Sequence, residues 1–334
     1  MVATDALDKV VFLNPMAGRI LGVDRKDIHE TDLHDVSSVF SEALRESDKT
    51  GTAVFSTSVN GGERQILLTR IPLMVSEDRS TGTLYTVRDV TAQQAAQRAQ
   101  AGFLSQISHE LKAPLNTILT YVEALADDGV VSQEERRQYF NTLSGEAARM
   151  AQLISNLLQL SRIQLGDLSA HSKFVKVANL VHEQSESMRA QAEARGLALD
   201  VKVPENLPAL RGDKDLLGVV LTNLISNAIK YTPSGGKVAV RASATDDGVV
   251  VEVEDTGIGI LEEDRTQIFE RFFRSSQEEV QAQRGSGLGL SLVREIVEAH
   301  QGRVSVDSHM GKGSRFNVWL PGLESGSRLD LVSA

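Results

Sequence analysis

Short apolar runs at Lys9–Leu13, Thr52–Val59, Arg64–Met74 and Thr81–Val87 dominate the first ninety residues. Turn-forming clusters, Asn60-Gly61-Gly62 and Ser80-Thr81-Gly82, separate them, so the runs read as strands with tight connections. Helix-sized pieces lie between the first two runs, around Met16–Leu21 and Val36–Ala43. Residues 1–91 are therefore expected to form a mixed α+β domain.

From residue 92 the period changes. Gln93–Gln100 is rich in Ala and Gln, then Phe103, Ile107 and Leu111 recur four apart, and Leu104, Leu111 and Ile118 seven apart, as in one long helix. Between Asp89 and Gly102 there is no Pro or Gly, which favours helical continuity from the first domain. Pro114 marks either a purposeful kink or a misread boundary, because an interior proline costs a helix roughly 3 kcal/mol. Asp127-Asp128-Gly129 ends the pattern, and Ser132 with Glu135 reads as the capping box of a second helix. There Leu143, Met150 and Leu157 sit seven apart, with Leu153 and Leu160 as a companion stripe. Two long helices with heptad stripes cannot bury their apolar faces alone. A homodimer, its two hairpins forming an antiparallel four-helix bundle, is expected over 92–168.

Strands and helices mix again over 169–322. Leu216–Tyr231 has helical spacing, Lys237–Ala242 and Val249–Glu254 read as strands, Leu290–His300 as a helix, and Val304–Val306 and Phe316–Leu320 as closing strands. Ser, Gly and mixed charge over 323–334 read as a loose tail.

Composition narrows the function. At 334 residues the chain suits two or three domains. A net charge of −10 argues against a nucleic-acid-binding or anionic-membrane surface. With no cysteine, disulfides, thiolate metal sites, cysteine nucleophiles and flavin–cysteinyl adducts are excluded. No apolar stretch approaches the ~20 residues of a membrane helix, and the amino terminus lacks a signal-peptide layout. The chain reads as soluble and cytoplasmic, or as the cytoplasmic part of a longer, membrane-anchored sensor.

Candidate chemistry sits at four places. His109 and Glu110 stand just ahead of Pro114 on the first long helix. A neutral imidazole is a nucleophile near pH 7, and an adjacent carboxylate can hold its tautomer and take its proton. On the helix before Pro233, Leu217, Leu221, Leu224 and Ala228 share one face while Asn223, Asn227 and Lys230 share the other, beside Tyr231. By itself that polar face is equally a solvated one. Asp255, Gly257 and Gly259 end an alternating strand with a tight turn. Gly285, Gly287 and Gly289 open a helix, and free N–H groups at a helix start suit anionic phosphates. Neither this loop nor Gly311-Lys312-Gly313-Ser314 meets the P-loop pattern.

In order and spacing, these residues with Phe269, Phe272 and Phe273 resemble the ATP-binding domain of histidine kinases, whose α/β-sandwich fold is shared with type II topoisomerases, a chaperone and mismatch-repair ATPases. The run from Phe103 through His109 to Pro114 resembles the phospho-acceptor box of the same family. Together the resemblance covers about 92–322. It implies ATP and Mg²⁺ as cofactors, His109 as nucleophile, Glu110 as acid/base, Asn227 as a metal ligand and Asn223 near the phosphates. It further implies Lys230 on the phosphates, Tyr231 along the adenine, Asp255 accepting from the adenine amino group, and Gly257 and Gly259 shaping the base pocket. Gly285, Gly287 and Gly289 would form a mobile lid, with Arg271 or Arg274 touching phosphate. Gln301 stands where the family often has glycine. A response-regulator receiver domain is the implied partner, taking the phosphoryl group on an aspartate. The family places Thr or Asn four residues after the acceptor, to orient a hydrolytic water; here that position is Ala113, which implies weak phosphatase activity.

Residues 1–91 resemble a PAS sensor domain, best at Asp89-Val90-Thr91, although the chain starts on the first strand, Val2–Asp5, without the usual leading helix. His29 and His34 read as surface residues and not as haem ligands. Two rivals remain: an ATPase of the same nucleotide fold that phosphorylates nothing, against which His109-Glu110 speaks, and a non-catalytic ligand-responsive scaffold, against which the complete set of ATP residues speaks.

Overall fold

The computed structural model describes all residues except 24–30, 34–37, 60–61, 77–78, 127–131, 165–171, 284 and 323–334. His29, His34, Arg284, the turn at Asn60 and Gly61, the Asp127-Asp128-Gly129 break and the tail thus lie outside the described residues. The chain divides into two compact units, Met1–Ser105 and Gln106–Ala334.

The first unit is built on strands β1 (Val2–Asp5), β2 (Val10–Leu13), β3 (Thr52–Val59), β4 (Gly62–Ser76) and β5 (Arg79–Asp89), with helices α1 (Pro15–Leu21) and α2 (Ser38–Thr50) between β2 and β3. The sheet runs β2-β1-β5-β4-β3, every pair antiparallel. Asn14 caps α1 through its side chain and Pro15 fits the first turn, where no N–H is needed. Alternation sends Val2, Ala53, Leu68 and Tyr85 inward, to pack with Val10, Leu13, Ala17, Leu33 and Leu44. The turn expected at Ser80, Thr81 and Gly82 is instead strand. Gly82 serves close approach and not reversal, since a Cβ there would stand 2.0 Å from the Thr4 carbonyl oxygen.

Asp89 ends β5 in a knot. Its carboxylate accepts from the Thr91 backbone N–H at 3.0 Å and hydroxyl at 2.6 Å, and pairs with Arg64 at 2.6 Å. These bonds hold its pKa down at about 2. Helix α3 (Thr91–Ala126) starts at this knot and runs unbroken through the buried Pro114. Since proline lacks an N–H, the Glu110 carbonyl, four residues earlier, has no helical donor at that turn.

In the second unit α3 leads to α4 (Gln133–Gln164), and its capping box is formed: Ser132 N–H donates to Glu135 at 2.8 Å and Glu135 N–H to the Ser132 hydroxyl at 3.2 Å. Next come β6 (Lys173–Val175), α5 (Val177–Ala194), β7 (Ala198–Lys202), β8 (Leu210–Gly212), α6 (Lys214–Tyr231), β9 (Lys237–Ala244) and β10 (Gly248–Asp255). Short α7 (Glu278–Ala282), α8 (Gly289–Ala299), β11 (Arg303–His309) and β12 (Gly313–Pro321) complete the unit. The main sheet is β11-β12-β10-β9-β7, with β7 and β9 parallel and the other pairs antiparallel. Its inner positions, among them Val238, Val240, Val249, Val251 and Val253, are buried, as are Leu224, Ile225, Ile229, Leu292 and Ile296 of the helices α6 and α8 that pack on it. The outer face carries an ion-pair ladder of Arg241, Glu252, Glu254 and Arg315. This is the α/β layer arrangement expected from the resemblance.

Candidate nucleotide site and acceptor helix

Helix α6 positions one wall of a cavity of about 470 Å³. Asp213 caps its amino terminus, accepting from the Asp215 and Leu216 N–H groups, and its buried face is anchored by Leu217, Leu221, Leu224 and Ala228. The opposite face turns Asn223, Asn227, Lys230 and Tyr231 into the cavity, as the wheel predicts. Asn223 donates to the Val219 carbonyl at 2.9 Å, and Lys230 Nζ lies 3.1 Å from the Tyr231 hydroxyl.

Asp255 lies at the opposite wall, at the end of β10. One carboxylate oxygen accepts from the Gly257 N–H at 2.8 Å and the Ser314 N–H at 3.3 Å. Burial nevertheless dominates and pushes its pKa up to about 6. Gly257 thus acts through its N–H, while Gly259 lines the cavity itself at φ +76°, where a Cβ would stand 2.2 Å from the His309 carbonyl oxygen. Ile258, Ile260, Ile268, Phe273 and Phe316 supply apolar walls beside Asp255. An apolar slot with one buried acceptor suits a flat heterocycle bearing an amino group.

Gly285, Gly287 and Gly289 close the third side. A Cβ on Gly285 would stand 2.8 Å from Lys230 Nζ, so this loop lies against the lysine. Gly287, at φ +71°, accepts from the Phe272 N–H at 3.0 Å; Phe272 is itself at φ +64°. Arg274 lines the cavity and ties the loop down through the carbonyls of Val280, Gln283 and Gly285. Arg271 is placed elsewhere: it pairs with Glu295 of α8 at 2.6 Å and does not line the cavity.

Positive charge accumulates around Lys230. Burial, then the charges of Arg274, Arg195 and Arg149, lower the Lys230 pKa to about 8. The start of α8 at Gly289 adds free N–H groups on the same side. Together these groups suit a polyanion beside the apolar slot. The amide oxygens of Asn223 and Asn227 are hard donors of the kind Mg²⁺ accepts. No cluster of three or more His, Cys, Asp or Glu suited to a metal exists among the described residues.

The cavity residues from α4 escaped the sequence reading: Gly145, Arg149, Gln152, Leu153 and Asn156. Arg149, Gln152 and Asn156 form a polar row at i, i+3 and i+7, a pattern that any solvated helix face shares. Arg149 donates to Glu110 at 3.1 Å and approaches the buried Glu146 at 3.8 Å. Glu110 is half-buried, whereas His109 is exposed on α3 and does not line the cavity.

Residues 99–166 match the model of the His Kinase A (phospho-acceptor) domain, and 212–324 that of the histidine kinase-, DNA gyrase B- and HSP90-like ATPases. Among curated proteins, Drug sensory protein A of Synechocystis is 35% identical over 263 residues, and Sensor protein SrrB of Staphylococcus aureus 30% over 247. These alignments span 75% and 74% of this chain but only 39% and 42% of those relatives. Among solved structures, histidine kinase ThkA in complex with response regulator protein TrrA matches at TM-score 0.54 and 20% identity, over 96% of this chain and 95% of that one. Histidine kinase AdeS of Acinetobacter baumannii matches at TM-score 0.53 and 21% identity, over 64% and 98%. At such identities the two structures speak for the fold. No helix among the described residues is long and apolar enough to cross a membrane. With a phospho-acceptor domain followed by an ATP-binding domain, and with sensor proteins as its relatives, the chain belongs to the sensor histidine kinases of two-component systems.

Proposed function

We propose that this chain uses ATP to phosphorylate His109 and then passes the phosphoryl group to an aspartate of a response regulator. The observation that carries the reading is the convergence of Asn223, Asn227, Lys230, Arg274 and a glycine loop around one cavity that α4, the partner helix of the acceptor helix, also lines. In the transfer a ring nitrogen of His109 bonds to the γ-phosphorus, the bond from that phosphorus to the β–γ bridging oxygen breaks, and ADP leaves. Glu110 takes the ring proton. Lys230 and Arg274 hold the phosphates, Tyr231 and the apolar slot hold the base, and Asp255 accepts from its amino group. Asn227 would ligate Mg²⁺, with Asn223 beside the phosphates; when bound, the ion would supply charge neutralisation to the phosphate chain. Because His109 stands outside the cavity, reaction requires α3 and the nucleotide domain to approach, in cis or across a dimer.

The dimer reading is supported by Leu115, Leu119 and Val122 on α3 and Phe140, Ile154 and Leu158 on α4, all exposed in the single chain. The five-stranded antiparallel sheet ending in the Asp89 knot supports a PAS-like sensor role for the first unit. The response regulator that accompanies ThkA supports the proposed partner class. Catalysis would take place in the cytoplasm, where ATP is available. Ala113 leaves no hydroxyl or amide to orient a hydrolytic water, so the enzyme is biased toward kinase over phosphatase action.

The test is incubation with γ-labelled ATP, Mg²⁺ and candidate regulators. Acid-labile, base-stable label should appear on the wild-type chain and move to a regulator. His109→Gln should take none while still binding nucleotide, and stable label on that variant would overturn the acceptor assignment.

A further inference from the structure

Arg149 connects two places that the transfer must coordinate. One Nη donates to Glu110 at 3.1 Å and the other lies 3.8 Å from Glu146, while Nε is buried with no hydrogen-bond partner among the described residues. The same side chain lines the nucleotide cavity with Asn223, Asn227, Lys230 and Arg274. Its charge is felt at Lys230, which it helps to depress. A guanidinium has five donors in a rigid fork and suits carboxylate and phosphate alike. Glu110 and a polyphosphate therefore compete for one cation.

We infer that Arg149 is shared between Glu110 and the terminal phosphates of the nucleotide, so that filling the cavity draws Arg149 off and leaves Glu110 free to serve His109. In the empty chain Arg149 neutralises the proton acceptor. With ATP bound, the phosphates take the guanidinium, and the carboxylate becomes available when there is a phosphoryl group to transfer. The inference rests on the proposed roles of His109, Glu110 and the cavity, and adds a device that times them.

Its test is a thermodynamic cycle read by binding, not by phosphorylation. ATP and adenosine affinities are measured by calorimetry on the full chain with Mg²⁺, for wild type, Glu110→Gln, Arg149→Gln and the double variant. Loss of a charge-assisted bond to phosphate should weaken ATP about 10-fold or more in Arg149→Gln and leave adenosine unchanged. Removing the competitor in Glu110→Gln should tighten ATP by about two- to fivefold, the range of a partly exposed ion pair. That gain should vanish in the double variant. Arg149→Lys, which keeps charge but not the fork, should fall between. Equal losses of ATP and adenosine in Arg149→Gln, or a Glu110→Gln gain that survives without Arg149, would overturn the inference. If the wild-type chain binds neither ligand, the nucleotide reading itself fails, and this inference with it.

Discussion

Asp255 and Lys230 give the cavity a pH window that can be worked out from their surroundings. Burial raises the Asp255 pKa from the ordinary 3.8 to about 6. In the role proposed for Asp255, the ionised form would be the stronger acceptor for an adenine amino group, so affinity should follow the ionised fraction. That fraction falls about tenfold between neutrality and pH 5, or about 1.4 kcal/mol of binding. Lys230 is depressed from 10.5 to about 8, so its ammonium is lost above pH 8 and phosphate binding weakens there. The two limbs separate by ligand. Adenosine should show the acid limb alone, because it has no phosphate to meet Lys230; ATP should show both. Stability moves the other way. The folded chain favours protonated Asp255, a contribution present below pH 3.8 and lost as pH rises through about 6, leaving up to about 3 kcal/mol of cost at neutrality. Asp255→Asn should therefore raise the melting temperature of the nucleotide-free protein at pH 7 while removing the acid limb of adenosine binding. Calorimetric titrations from pH 5 to 9 and melting curves at the same values supply the data. An adenosine affinity flat from pH 5 to 7, or an acid limb that persists in Asp255→Asn, would refute the reasoning.

Gln301 lies just past α8 at φ +59°, so Gln301→Gly should stabilise the protein by about 1 kcal/mol, seen as a higher urea midpoint with unchanged slope. Leu119→Asp combined with Ile154→Asp should convert a dimer to a monomer by light scattering, since each exposed apolar side chain is worth about 1.5–3 kcal/mol when buried. Ala113→Thr should speed protein-dependent dephosphorylation of a phosphorylated regulator at least tenfold, given about 2.7–4 kcal/mol for a positioning donor in an active site. Ala113→Val, of similar shape without a hydroxyl, should not, and equal rates in all three proteins would remove Ala113 from the account.

Helix α6 and strands β9 to β12 were legible because each has one buried and one polar face, and a period of 3.6 or 2 records that directly. The stretch between the hairpin and α6 left little trace. Strands β6 and β8 are three residues each, and the buried positions of α5 crowd its first turns, from Val177 to Val181. Gly82 was misread because a glycine in sequence does not distinguish a reversal from a close strand crossing. Arg271 and Arg274 sit three apart with the same chemistry, and only tertiary structure gives one to Glu295 and the other to the cavity.

Helix α4 hid its part of the site because its cavity-lining stripe is mostly polar and stands beside two stripes that are apolar throughout. At about 100° per residue, Leu143, Met150 and Leu157 form one stripe, the one that heptad spacing reveals. Gly145, Arg149, Gln152, Leu153 and Asn156, which line the cavity, centre roughly 120° to one side of it, and Leu160 falls with them. Phe140, Ile154 and Leu158, exposed and apolar, centre roughly 65° to the other side. Leu153, counted in sequence toward the bundle, thus belongs to the nucleotide wall. The stripe awaiting a partner and the stripe facing the nucleotide lie on nearly opposite sides of one rigid helix. A rotation of α4 about its axis cannot change one without moving the other. In the proposed dimer, repacking of the bundle would therefore shift Arg149 relative to the cavity directly, with no relay through the sheet.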